Sequence, residues 1–148
     1  MDTKLKIITI LARLWFTLGV IFTINFLFLI GFFIYAILTS SSKYSFLFIV
    51  CSIWLLILIF VLLFFSVLSF VQWDSISKFK KWAVKRSLPI SFIFLLFWLG
   101  PVLYFVSETS FYPLSFWDIF LVSMCSILIV DIVILVVSLS PAVKEFLK

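Results

Sequence analysis

The sequence predicts an all-α integral membrane protein: four transmembrane helices in an antiparallel bundle, with both termini cytoplasmic. Three observations lead there. The 148 residues are 66% hydrophobic and only 11% charged, with a mean hydropathy of +1.42, whereas an ordinary soluble domain is about half apolar and about a quarter charged. The apolar residues recur in four blocks separated by short polar turns, so no single greasy segment produces the average. The 11 Lys and Arg, finally, are distributed unevenly among the connectors. Those connectors and ends amount to about 40 residues, too few to bury the core of a soluble domain, and residues 1–148 therefore read as one membrane domain.

Each element follows from local chemistry. Asp2 to Arg13 sets Lys4, Lys6 and Arg13 among Leu5, Ile7, Ile8, Ile10 and Leu11, a basic amphipathic approach in which Arg13 snorkels to lipid phosphates. Span 1, residues 14–38, offers about 25 residues or roughly 37 Å of helix, enough to cross a 30 Å hydrocarbon core with tilt. A cleaved signal peptide would also begin basic and then apolar, leaving three spans, but no A-x-A-like site precedes the polar stretch at Thr39 to Ser42. After a turn carrying Lys43, span 2 (46–71) holds no charged side chain, and its Ser52, Ser66 and Ser69 can bond to the preceding helical turn.

Residues 73–87 are the most polar stretch, with Lys78, Lys80, Lys81, Lys85 and Arg86 against Asp74 alone. Capped by Asp74 or Ser75, a short helix there would gather Ile76, Phe79, Trp82 and Ala83 on one side. That pattern describes a cytoplasmic amphipathic loop lying among lipid headgroups, basic side toward anionic lipid or a docking partner. Span 3 (88–107) opens on Pro89, where a missing N–H costs nothing, and Gly100-Pro101 predicts a bend late in it. Span 4 (116–140) follows a turn containing Pro113 and is stopped by Pro141, with Lys144, Glu145 and Lys148 in a short tail.

Alternating sides, the N-terminus, the central loop and the tail hold every Lys and Arg except Lys43, which places them in the cytoplasm. The aromatic girdles agree. Trp15, Trp73 and Trp82 fall at the inner boundary, and Tyr35, Tyr44, Tyr104, Tyr112 and Trp117 at the outer one.

Composition also limits the chemistry. There is no His, and Cys51 and Cys125 stand alone in separate apolar blocks, which leaves no motif for zinc, haem or thiol redox. No Ser sits beside a base and no carboxylate pair has catalytic spacing, so the expectation is a non-enzymatic protein without cofactors. The positive balance reports topology rather than nucleic-acid binding.

Asp131 is the informative residue. It lies mid-span within Ile129-Val130-Asp131-Ile132-Val133, where a carboxylate costs a few kcal/mol or more and should face the bundle or a partner. Counting 1.5 Å per residue from the inner boundary puts Asn25 and Asp131 at similar depth, roughly 16 and 13 Å, which predicts a hydrogen bond tying helix 1 to helix 4. Two functional alternatives stand beside this structural one: recognition of another membrane protein, and a proton-coupled transporter or cation channel using the carboxylate. Glu108 and Asp118 flank the second outer turn as a solvated rim or an acidic contact surface.

The stretch from Leu68-Ser69-Phe70 through the basic loop to Arg86-Ser87-Leu88, the ending Leu139-Ser140-Pro141-Ala142-Val143-Lys144-Glu145-Phe146-Leu147-Lys148, and the four-span topology resemble the immunity proteins against pore-forming colicins, especially the colicin A type. The resemblance implies a bacterial inner-membrane protein that recognises the hydrophobic helices of a pore-forming toxin and prevents channel opening, with no catalysis. An accessory subunit of a larger membrane complex is a further alternative. The expected partners are the lipid bilayer and a pore-forming toxin or another membrane protein, with no nucleic acid.

Overall fold

The computed structural model describes residues 3–39, 45–108 and 116–148, and every described element is helical. They are α1 (Thr3–Thr39), α2 (Ser45–Ser77), α3 (Lys81–Glu108), α4 (Phe116–Ser138) and α5 (Pro141–Leu147). The first four are long and apolar enough to cross a membrane, the architecture of a multi-pass membrane protein. The expected outer turns with Lys43, Tyr44, Tyr112 and Pro113 lie outside the described residues, as do the side chains of Cys51, Tyr104, Glu108, Trp117 and Asp118.

Each long helix turns one stripe inward. On α1 the stripe is Ile8, Leu11, Trp15, Leu18, Phe22, Asn25 and Leu29, recurring every three or four residues as a 3.6-residue period requires. The outward faces are apolar as well: Leu38 is 79% exposed and Phe60 67%, as expected where the surroundings are lipid rather than water. α1 packs most extensively on α2, then α3 on α4 and α1 on α4, while α2 and α3 touch more sparsely. Aromatic rings fill that looser seam. Phe65 of α2 stacks at 4.4 Å on Phe94 of α3, and Phe22 of α1 reaches Phe65, Phe94 and Trp98 at 5.6 to 5.8 Å.

Two expectations need correction. The basic segment 73–87 forms no separate amphipathic helix: α2 continues to Ser77 and α3 begins at Lys81. Between them Lys80 N–H donates to the Ser75 carbonyl at 3.1 Å and Phe79 N–H to that of Ile76 at 2.8 Å, the paired bonds of a Schellman cap. Phe79 occupies the left-handed position with φ 54°, where glycine is usual. Ile76 and Ala83 are buried by this arrangement, whereas Phe79 and Trp82 are exposed.

Pro89, expected at a helix start, instead lies inside α3, where the Lys85 carbonyl lacks its i+4 donor. Gly100 and Pro101, the pair expected to bend it, also lie within α3. The tail is also helical: Ser140 caps α5, with its Oγ 3.4 Å from Val143 N, and Pro141 opens the first turn. α5 folds back onto α1 and α3, burying Val143 and pairing Lys4 with Glu145 at 2.8 Å.

Candidate functional site

A polar side chain between apolar helices has no water to turn to, so it bonds to a neighbouring helix or to its own backbone. In this protein such residues gather inside the bundle. On α2, Ser66, Ser69, Gln72 and Ser75 recur every third residue along the buried stripe, and Ser87 and Ser91, four residues apart, share the buried face of α3. Ser69 bonds back to the Phe65 carbonyl at 2.8 Å. The others mostly tie helices together.

Asp131 is fully buried on α4 and accepts a hydrogen bond through Oδ1 from Ser91 Oγ of α3. The same hydroxyl lies 3.1 Å from the Asp131 backbone carbonyl, so one proton serves two acceptors on α4. The second carboxylate oxygen, Oδ2, is buried without a partner. A half-satisfied carboxylate is an expensive group to keep at this depth. A purely structural tie between α3 and α4 could have been made more cheaply.

Asn25 is buried too, but it does not meet Asp131. Its Nδ2 donates to Ser123 Oγ of α4 at 2.7 Å and to the Ile21 carbonyl at 2.8 Å. Ser123 stands eight residues before Asp131, about 12 Å along the helix, so the expected Asn25 to Asp131 bond is replaced by two separate ties at different levels. The equal-depth estimate assumed helix ends at Leu14 and Ser140; packing shape sets the register instead. Gly19 is one determinant: a Cβ there would lie 3.1 Å from the Phe70 ring. This close approach lets Thr23 Oγ1 and Ser66 Oγ bond at 2.7 Å.

Trp15 Nε1 donates to Ser87 Oγ, joining α1 to α3 across the middle of the bundle. Trp98 Nε1, Gln72 Nε2 and Ser138 Oγ are buried without partners. Sequence reasoning singled out neither Ser91 nor Ser123, Ser66 and Ser87 as partners. The three-residue repeat Ser66, Ser69, Gln72, Ser75 was a readable signal, because only an inward face accommodates polar groups at helical spacing in a lipid-bound helix.

The basic end is exposed and partly paired. Lys78 bonds Asp74 at 2.7 Å, and the Arg86 guanidinium sits 5.3 Å from the centre of the Trp82 ring; Lys80, Lys81 and Lys85 are exposed. Gly100 is exposed with open space beside it, and the Pro101 side chain lies outside the described residues. Among the described residues no group of His, Cys, Asp and Glu is placed to hold a metal ion. Comparison with protein-family models, curated proteins and solved structures finds no match to this chain.

Proposed function

We propose that this chain is a non-enzymatic inner-membrane protein of bacteria that acts by protein–protein interaction within the bilayer, and that its partner is a pore-forming bacteriocin whose channel it keeps from opening. The observation that carries this reading is the division of labour among side chains. Asn25, Ser66, Ser87, Ser91 and Asp131 are bonded to other helices of the same chain, while the faces turned outward are almost wholly apolar. Such a surface can recognise another membrane helix but offers little to a soluble ligand. The likeness of residues 68–88 and 139–148 to colicin immunity proteins supplies the specific version.

In this reading the four helices form an antiparallel bundle with both termini cytoplasmic. The order of contacts supports it: Phe16 against Trp73, Gly19 against Phe70, Thr23 against Ser66, each step up α1 matched by a step down α2. Transport is the second reading, favoured by the unpartnered Asp131 Oδ2, since a buried carboxylate with a free oxygen can take a proton or a cation in turn.

Survival of cells expressing the chain against a panel of pore-forming toxins separates the two. Immunity gives protection against one toxin, lost in a normally inserted Asp131→Leu variant if recognition runs through the α3–α4 pair. Gradient-dependent flux in liposomes without protection establishes transport instead.

A further inference from the structure

Along the outer side of the α3–α4 seam lies an open hollow of about 440 Å³, lined by Leu88, Pro89, Phe92 and Leu95 of α3 and Leu135 and Leu139 of α4. Its lining is wholly apolar, as a lipid-facing surface would be anywhere. The end nearest the α2–α3 turn is different. At 100° per residue, Lys85 and Lys81 fall on the same face of α3 as Pro89 and Phe92, one and two turns nearer the helix start than Pro89. Both lysines are exposed, and among the described residues neither has a carboxylate partner. The acidic groups nearby are already engaged, Asp74 by Lys78 and Glu145 by Lys4. Arg86 points about 100° away and lies over Trp82.

We infer that this hollow with Lys81 and Lys85 at its mouth is a binding site for one anionic phospholipid, its phosphate between the lysines and an acyl chain along Phe92, Leu95 and Leu135. The inference rests on the membrane-spanning reading above. Two unbalanced cations on the trough's face of α3, in the turns just before Pro89, match the order of charge and hydrocarbon in such a lipid, and intramembrane basic pockets of this kind hold anionic headgroups. The Pro89 ring forms part of the trough wall.

The test uses the full chain purified in mild detergent after it has been shown to resist alkaline extraction from membranes. Phosphatidylglycerol and phosphatidylcholine with identical acyl chains are added, and retained lipid and Tm are measured by native mass spectrometry and thermal unfolding. Phosphatidylglycerol is retained and raises Tm; phosphatidylcholine and soluble glycerol phosphate do neither.

Removing both lysines (Lys81→Gln with Lys85→Gln) weakens retention roughly 30-fold, about fivefold for each charge near the surface, without changing Tm in the absence of lipid. Leu139→Trp, at a position 53% exposed, fills the trough and weakens retention while both lysines remain. Equal stabilisation by the two lipids overturns the inference. So does unaltered phosphatidylglycerol retention in Leu139→Trp, which would mean simple adsorption to basic residues. A chain released by alkali removes the membrane reading itself.

Discussion

The α1–α2 pair and the α3–α4 pair are held by opposite means. α1 meets α2 through Gly19 beneath the Phe70 ring and through Thr23 bonded to Ser66, with Phe16 packed on Phe70 and Trp73. The surfaces are close-fitting and the hydroxyls at the contact are bonded; the one unmet group on this side, Gln72 Nε2 of α2, is a neutral amide. α3 meets α4 through Ser91 and a carboxylate with an unpartnered oxygen, beside an open trough. The first pair is built for adhesion. The second tolerates an unmet hydrogen-bonding demand, which natural proteins keep where function needs it; a partner or lipid would therefore engage α3 and α4 rather than α1 and α2.

Four substitutions test that contrast. Gly19→Leu drives a branched side chain into Phe70 and should cost about 1 to 3 kcal/mol, the largest loss, seen as a lowered Tm in detergent; unchanged Tm would mean the first pair is not close-fitting. Phe79→Gly, in the turn joining the pairs, relieves a left-handed backbone and should add about 1 kcal/mol. A lower Tm there would show that the Phe79 side chain outweighs its backbone strain. Asn25→Leu cuts the tie from α1 to Ser123 of α4 and should cost about 0.6 kcal/mol, the average for such interhelical bonds.

Asp131→Leu should have the smallest effect on stability. Ser91 keeps the residue-131 carbonyl as an acceptor, and the replacement removes a group whose burial is costly. Tm within a degree or two of wild type, combined with loss of protection or flux, would assign Asp131 to function; a loss as large as that of Gly19→Leu would make it structural and erase the difference between the pairs.

Much of this was legible in the sequence. The four apolar blocks gave the four long helices, and the cost of a mid-span carboxylate placed Asp131 inside. The helix ends were harder to read. Falling hydropathy after Val71 resembled a helix end, but Gln72 and Ser75 lie on the buried stripe and α2 runs on through them. The cap that does end it uses Phe79 in place of the glycine that would have announced it. Partner identity failed for a related reason. Depth counted from span ends fixes a residue only to within a turn or two, whereas the pairing of Asn25 with Ser123 depends on how the side chains of α1 interlock with their neighbours.

Order of synthesis gives the tie between Asn25 and Ser123 a temporal meaning. The two residues are 98 positions apart, which at ribosomal speed is roughly 5 to 20 s. Thr23 and Ser66, 43 positions apart, can meet in less than half that time, as soon as α2 follows α1 into the bilayer. During the remaining interval the Asn25 amide must be accommodated in lipid with only its own Ile21 carbonyl as acceptor. The nascent chain thus passes through a two-helix stage with an exposed amide, and any insertion factor that shelters polar groups in the bilayer would act on this protein then.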